Sequence, residues 1–300
     1  MRWVLCAVLL CIFAPGAAAQ EFGPALRGSE SVGQPSVAQW SGFYAGGGVG
    51  FGGGNANFGN TTQAPLAYTL RDTLIEQDFD PSAWTLLGSA TVQSTFVDAF
   101  AGYDMQWEDV ILGAEVTYAH PNVTATALST PEARTFTESP DSSGNITEYG
   151  IDESASATLH LIDYATFRGR AGWAVNNIFL PYGFAGLAVG RATYTSSATV
   201  STTTAMTSPT TTVVGTSTVT IPAPPPVIPC SGIETCTFFT DGNAENGNVW
   251  MYGVDAGVGV DIALMRNVFL RGEFEYVHFF PTKGITLDFA NATAGVGVKF

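Results

Sequence analysis

The chain has 300 residues, of which 46% are hydrophobic and only 12% are charged, and its formal net charge is −15. Soluble globular domains carry about twice this share of charged residues. Nucleic-acid-binding proteins need a basic surface, which a chain of 26 acidic and 11 basic residues does not offer. The composition therefore argues against a typical soluble domain and against a nucleic-acid partner.

The first nineteen residues have the layout of a secretory signal peptide. Arg2 gives a positive start, residues 3–13 are apolar, and Ala17–Ala19 supplies small residues before the expected cleavage. A retained membrane helix is a weaker interpretation, because this apolar run is shorter than the ~20 residues needed to span a bilayer. We therefore expect an exported protein with a signal peptide (1–19), a polar periplasmic lead-in (20–39) and one domain (40–300).

From Trp40 onward the chain alternates apolar and polar residues with a period of two, as strands do. On the fourth segment this period groups Leu159 and Leu161 with Phe167 and Trp173 on an outward face. The fifth segment is apolar on both faces, so its register stays open. The pattern predicts eight strands, over about 41–52, 94–107, 110–119, 158–175, 178–194, 249–264, 268–280 and 290–300.

The connections between these strands differ strongly in length. Short turns are predicted near residues 108, 176 and 266, whereas the links over 53–93, 120–157 and 195–248 are long and polar. Short periplasmic turns that alternate with longer external loops are typical of transmembrane β-barrels. We therefore predict an all-β fold, an eight-stranded antiparallel transmembrane barrel with long extracellular loops and both termini on the periplasmic side.

The third loop carries two unusual features. A Thr/Val-rich part, which could form a hairpin above the barrel, precedes a proline run over 222–229 that favours polyproline II. An adhesive or antigenic surface and an ordinary solvated loop are both open interpretations. Cys230 and Cys236 are expected to form a local disulfide in the oxidising compartment, since no nearby His or C-x-x-C spacing favours a metal or redox site.

Short motifs are spread along the chain, at 40–46, 102–107, 112–115, 168–172, 181–182, 271–276 and 297–300. Through these motifs the chain resembles the small outer-membrane β-barrel proteins of Gram-negative bacteria, a porin-family group of surface immunogens with OmpA-like barrels. The resemblance implies an outer-membrane location, a lipid and lipopolysaccharide environment, and assembly by the barrel-assembly machinery with Phe300 as the terminal signal.

The inward faces of the predicted strands carry most of the charge of the barrel. Charged side chains facing lipid at mid-membrane would cost roughly 2–4 kcal/mol for Arg or Lys, so they are expected in the lumen. In an eight-stranded barrel these side chains are expected to fill the interior, with a narrow, weakly cation-preferring pore as the alternative. The predicted lumen network comprises Asp98, Asp104, Glu115, Arg168, Arg170, Asp255, Asp261, Arg271, Glu273, Glu275 and Lys299.

Catalysis is not expected from this sequence. The three histidines, His120, His160 and His278, stand near strand ends, and neither a G-x-S-x-G nor an H-E-x-x-H pattern occurs. No cofactor and no metal site is expected, although loop carboxylates could bridge divalent cations weakly to lipopolysaccharide. The sequence favours a structural barrel with surface-exposed loops, with a small-solute porin and a surface adhesin or receptor that binds host or surface ligands as alternatives.

Overall fold

The computed structural model describes residues 39–300, apart from 72–73, 130–131, 139, 177, 208–209, 215–216 and 222–234. The predicted signal peptide (1–19) and all but residue 39 of the predicted lead-in lie outside the described residues. Among the described residues, no helix is long and apolar enough to cross a membrane.

The described chain is dominated by strands, with short helices only between the first two. The helical elements are α1 (Gln63–Leu70), α2 (Leu74–Phe79) and a 3₁₀ turn, η1 (Pro81–Ala83). The strands are β1 (Gly42–Asn57), β2 (Ser89–Trp107), β3 (Val110–Pro121), β4 (Val123–Leu128), β5 (Glu132–Thr137), β6 (Ile146–Trp173), β7 (Phe179–Thr207), β8 (Thr210–Val214), β9 (Ser217–Ile221), β10 (Thr235–Ala263), β11 (Val268–Thr282) and β12 (Ile285–Lys299).

Eight of these strands close into a ring. They pair antiparallel in the order β3-β2-β1-β12-β11-β10-β7-β6, and β3 also pairs with β6, which closes the sheet. The closing register runs from Val110↔Trp173 to Ala119↔Tyr164. That is about the length of strand that crosses a bilayer, ~9–11 residues. The predicted eight-stranded antiparallel barrel is therefore confirmed.

The outer face of the ring is apolar and carries aromatic side chains toward both ends. Near the short turns Trp107 and Trp173 are exposed, and near the opposite end Tyr118, Trp250 and Tyr276 are exposed. Aromatic side chains of this kind sit at the two membrane–water interfaces of transmembrane proteins. An exposed apolar band lies between them, as expected for the lipid-facing part of a transmembrane barrel.

Three strands continue far beyond the ring, which the sequence did not predict. β6, β7 and β10 have 28, 29 and 29 residues, so β7 extends over roughly 95 Å at ~3.3 Å per residue. Above the barrel, β4 and β5 pair with β6, and β6 pairs with β7, which pairs with β10. We call these outer parts, with β4 and β5, the extracellular sheet. The Thr/Val-rich segment above it forms the β8–β9 hairpin.

A β-bulge corrects the predicted faces of the fourth barrel strand. The pairing of β6 with β7 shifts between Leu161 and Asp163, so that Ile162 is an extra residue. Because an extra residue reverses which side chains face inward, Leu159 and Leu161 are buried rather than exposed to lipid. The prediction was wrong for these two leucines because a bulge leaves no mark in a simple alternation.

The first long connection, which the sequence predicted to be a polar loop, forms helices that pack in an apolar cluster. Leu66 and Leu70 of α1 are 1% exposed and pack in one apolar cluster with Phe58 and Leu87. Phe79 stacks on Phe136 of β5, with ring centroids 4.3 Å apart. The segment between β1 and β2 therefore covers the extracellular end of the barrel and packs against the extracellular sheet.

Glycines on the inner face of β1 make room for large side chains of neighbouring strands. The Phe96 ring of β2 lies directly over Gly50, at a place that a Cβ on residue 50 would fill. Phe100 lies over Gly46 in the same way. The glycine-rich sequence of β1 is thus the partner of aromatic rings that fill the lumen.

We expect Gly50→Val to lower the thermal unfolding midpoint, because overpacking a filled interior costs about 1–3 kcal/mol. The measurement is heat-dependent mobility or circular dichroism of refolded protein. Gly169→Val is the matched control, since a Cβ at Gly169 has no heavy atom within 4 Å. In the double variant with Phe96→Ala the total loss should be smaller than the sum of the two single losses. Full additivity would show that the two residues do not compete for space.

Candidate functional site: the barrel lumen

The end of the lumen near the short turns is filled by aromatic side chains. Trp40, Tyr44, Phe100 and Phe269 are each less than 5% exposed and pack in one cluster with Leu180, Tyr182 and Phe184. The Tyr44 and Phe269 rings meet edge to face, with centroids 6.0 Å apart. We call this cluster the aromatic layer; it closes the periplasmic end of the lumen.

The central part of the lumen holds an ionic network built around Glu115 of β3. One oxygen of Glu115 accepts hydrogen bonds from Nε and Nη2 of Arg168, at 2.8 and 2.5 Å. The other accepts from Arg271 Nη1 at 2.6 Å and from the Tyr44 hydroxyl at 2.7 Å. Arg170 Nη1 lies 3.4 Å from the same oxygen. One carboxylate is therefore shared by three guanidinium groups.

Further carboxylates complete the coordination of these arginines. Arg271 forms a bidentate pair with Asp261, at 2.8 and 3.0 Å, which also accepts from Arg170 at 2.9 Å. Arg168 reaches across the lumen to both oxygens of Glu273, at 2.9 and 2.7 Å. Charge-assisted, bidentate bonds of this kind are stronger than neutral ones. We call this network, with Glu115, the charged layer.

The charged layer rests on the aromatic layer. The Arg271 guanidinium lies 4.0 Å from the centroid of Phe100, and Arg168 lies 3.9 Å from Phe184. Arg170 lies 4.1 Å from the Tyr182 ring. Cations placed over aromatic faces are attracted by the ring quadrupole. The two layers therefore hold each other as well as filling adjacent parts of the lumen.

The extracellular part of the lumen is apolar. Phe96, Tyr164, Phe279 and Phe289 converge there and are at most 6% exposed. Together with the α1 leucines they belong to one large buried cluster, which we call the apolar layer. Three successive layers, aromatic, charged and apolar, thus occupy the lumen from its periplasmic to its extracellular end.

The structure brings together most of the eleven residues that the sequence placed in the lumen. Besides the residues above, Asp104 lies 3.3 Å from Arg170, and Glu275 lies 3.6 Å from Arg168. Asp255 is 2% exposed, and among the described residues neither of its carboxylate oxygens has a hydrogen-bond partner. Asp98 also lines the lumen, where one of its oxygens lies beside Gly48.

Lys299 lies apart from the charged layer. Its ammonium group donates to the carbonyl oxygen of Gln39 at 2.6 Å and lies 5.4 Å from the Trp40 ring centroid. This lysine fastens the last strand to the segment that precedes β1. Its contacts therefore join the two ends of the barrel chain, which are the last strand and the segment before β1.

Tyrosines of the lumen were not among the predicted site residues. The hydroxyl of Tyr182 donates to Glu273 at 2.6 Å, and that of Tyr164 donates to Glu275 at 3.1 Å. The inward position of Tyr44 could be read from the alternation of β1. Tyr182 could not be placed, because β7 is apolar on both faces and only its pairing partners decide the register.

The other predicted sites lie elsewhere or outside the described part of the chain. Cys230 lies outside the described residues, so its pairing with Cys236 stays a prediction. The three histidines lie on separate strands, β3, β6 and β11, and none belongs to the lumen layers. Among the described residues, no group of three or more His, Cys, Asp or Glu side chains is placed to hold a metal ion.

A closed antiparallel barrel with a lipid-facing apolar band and a charged interior defines a transmembrane β-barrel. Residues 4–300 match the family model of the outer membrane protein beta-barrel domain. The chain therefore belongs to this family, which confirms the resemblance noted from the sequence and places the protein in the cell outer membrane.

Comparison with solved structures finds distant barrels. Neisserial surface protein A is 14% identical, over 87% of this chain and 98% of that one, with a TM-score of 0.35. Ail, the attachment invasion locus protein of Yersinia pestis, is 11% identical over 86% and 99%, with a TM-score of 0.34. The N-terminal barrel of Pseudomonas aeruginosa OprF is 12% identical over 87% and 100%, with a TM-score of 0.31. No curated protein matches the sequence.

We expect Arg168→Ala or Glu115→Ala to lower the unfolding midpoint strongly, because removing one partner of a buried ion pair costs about 3–5 kcal/mol. Thermal melts of protein refolded in detergent would measure the loss. Arg191→Ala is the matched control. Arg191 also pairs with a carboxylate, that of Asp163, but its side chain is 48% exposed, so at most ~1 kcal/mol should be lost.

A second control separates ionic pairing from loss of charge as such. Asp255→Asn removes a carboxylate that is buried without a hydrogen-bond partner among the described residues, so it should not lower the midpoint. Equal losses in Arg168→Ala and Asp255→Asn would contradict the importance of the specific pairs.

Proposed function

We propose that the protein is a non-conducting outer-membrane barrel that anchors an ordered extracellular structure at the cell surface. The observation that carries this proposal is the filling of the lumen by three layers of different chemistry. A solute that enters from either end meets a layer of packed, buried side chains. The barrel then acts mechanically, as a rigid membrane anchor.

The charged layer supports this proposal, because a water-filled pore would not need its charged side chains to be buried and paired. Arg168, Arg170 and Arg271 have side chains that are at most 2% exposed. Buried charges are tolerated only when they are paired and hydrogen-bonded, and here each guanidinium contacts at least two carboxylates. These side chains hold one another across the lumen, which favours a plug over a conduction path.

The extracellular sheet supports the second half of the proposal. Its three long strands, β6, β7 and β10, are continuations of barrel strands, so the sheet is fixed to the membrane anchor without a linker. A structure of this size above the bilayer also suits the alternative of an adhesin or receptor. Lipid, lipopolysaccharide and surface ligands are the partners that this arrangement would meet.

The competing function is a small-solute porin with a weak preference for cations. Planar-bilayer recordings of refolded protein separate the two, with a general porin reconstituted under the same conditions as the positive control. We expect no steady open-state current from the natural sequence. We also expect none from Glu115→Ala, because the aromatic and apolar layers stay in place. A steady wild-type current that changes on Glu115 or Arg168 substitution would overturn the plugged barrel.

Phe300 is proposed as the terminal signal for barrel assembly, as in the prediction from the sequence. Its backbone N–H donates to the carbonyl of Phe43 at 2.9 Å, and its ring is 75% exposed on the outer face. The backbone bond would survive any side-chain change, whereas the ring is free to be recognised. An ordinary contact with lipid is the simpler role for such a ring.

Deletion of Phe300 is expected to reduce the amount of folded barrel in outer membranes more than deletion of the extracellular residues 210–221. The measurement is the fraction of protein with heat-modifiable mobility in isolated membranes. Phe43→Ala is the control, since it removes a neighbouring exposed ring but leaves the terminus unchanged. Normal assembly of the truncated protein would reduce Phe300 to a lipid contact.

A further inference from the structure

The outward face of the extracellular sheet just above the barrel is rich in hydroxyl groups. β4, β6 and β7 are aligned so that Thr126 pairs with Thr158, which pairs with Thr195, in one row across three strands. The next rows hold Leu128 beside Ser156 and Ser197, and Thr124 beside His160 and Thr193. We call this the hydroxyl face; besides the exposed Leu128 and the imidazole of His160, its side chains are Thr124, Thr126, Ser154, Ser156, Thr158, Thr193, Thr195, Ser197 and Thr199.

Neighbouring side chains on this face hydrogen-bond to one another. The hydroxyls of Ser156 and Ser197 are 2.7 Å apart, and those of Thr126 and Thr158 are 3.2 Å apart. A hydroxyl has one donor and two acceptor sites, so each member keeps capacity for a further partner. Every residue of the face is at least partly exposed. The face is therefore an ordered set of hydroxyl groups open to the outside.

The hydroxyl face is a direct continuation of the lipid-contacting surface. Along the outward side of β7, Leu187 and Val189 contact lipid, Arg191 follows, and Thr193 begins the hydroxyl face. Arg191 pairs with Asp163 at 2.5 Å, and the Tyr118 hydroxyl donates to the same carboxylate at 3.1 Å. This polar group marks the outer boundary of the apolar band. The hydroxyl face thus stands immediately above the bilayer.

The hydroxyl face is also uncharged over most of its height. Among the described residues of the face, no Asp, Glu, Lys or Arg lies between the Asp163–Arg191 pair and Asp152 at the far end of β6. The chain as a whole has 26 acidic residues, and its extracellular carboxylates include Glu138 and Asp141 farther from the membrane. Solvated sheet faces usually carry mixed charge, so an uncharged face directly above the apolar band suits an uncharged partner that forms hydrogen bonds.

We propose that the hydroxyl face binds the core oligosaccharide of lipopolysaccharide molecules in the surrounding outer leaflet. In that leaflet, anionic phosphates lie at the membrane boundary and sugars lie directly above them. The protein presents the half-exposed guanidinium of Arg191 at the first height and uncharged hydroxyls at the second. Sugars are the hydroxyl-rich partner that such a face complements, while carboxylates there would be repelled by the anionic lipid. This inference would hold whether or not the barrel conducts.

The test compares two lipopolysaccharides on the refolded mature chain in detergent. One probe has a complete core oligosaccharide, and the other is a deep-rough form truncated close to lipid A. The natural protein should bind the complete form about tenfold more tightly, which corresponds to ~1.4 kcal/mol. The triple variant Thr126→Val, Thr158→Val and Thr195→Val keeps shape and strand preference but removes one row of hydroxyls, and it should lose this preference.

A matched control places the same change on the other side of the barrel. Thr91→Val, Thr95→Val and Thr286→Val alter three outward threonines of β2 and β12, and this variant should keep the preference for the complete core. Should the face triple fail to refold, Thr158→Val alone is expected to reduce the preference about threefold, a smaller free-energy change on the same scale.

Three results would overturn the proposal. The first is equal affinity of the natural protein for both lipopolysaccharides. The second is a preference that persists in every folded face variant. The third is loss of the preference in both triples, which would place sugar recognition elsewhere. Loss in the face variant alone, with unchanged affinity for the truncated form, would support it. Conductance plays no part in these outcomes, so they stand apart from the test of the plugged barrel.

Discussion

The shared carboxylate of Glu115 is the interaction on which the rest of the barrel depends. Arg168, Arg170 and Arg271 would each be too costly to bury alone. They come from two strands, β6, which pairs with β3, and β11, which lies on the opposite side of the ring. By meeting at Glu115 they connect β3 with β6 and β11, and through Asp261 with β10. The lumen is therefore crossed by bonds as well as lined by side chains, and the ring acquires a rigid interior.

This interior also determines what lies above and below it. Guanidinium groups present flat faces, and the rings of Phe100, Phe184 and Tyr182 pack against those faces. Apolar side chains then fill the lumen on the extracellular side, where α1 and its neighbours complete the packing. Each layer excludes water from the next, so the ionic pairs operate in a low-dielectric environment where they are strong. The barrel resembles a small globular core enclosed by a sheet.

The ring itself was predictable from the sequence because lipid imposes a strict rule on each strand. Phe43, Tyr103 and Phe274 could be placed outward and Glu115 and Arg271 inward from alternation alone. The extracellular sheet was not predictable in the same way, since both faces of β7 are apolar or hydroxylated and no lipid boundary marks where the strand should stop. The bulge at Ile162 and the helices between β1 and β2 depend on contacts with distant segments. The inward position of Tyr182 could be recognised only from the strands that pair with β7.

The single extra residue at Ile162 determines which side chains face inward and outward along the two halves of β6. Below the bulge, the inward side chains include Arg168 and Arg170, and the outward ones include Phe167. Above it, the inward side chains include Leu159, and the outward ones are mostly Ser and Thr. The surroundings of the side chains therefore change on both faces of β6 near the bulge. Inside, the charged layer gives way to the apolar layer; outside, the apolar band gives way to the hydroxyl face. The membrane part and the exposed part can in consequence obey separate sequence rules, so the exposed sheet is free to lengthen or diversify without disturbing the pattern that holds the barrel in the bilayer.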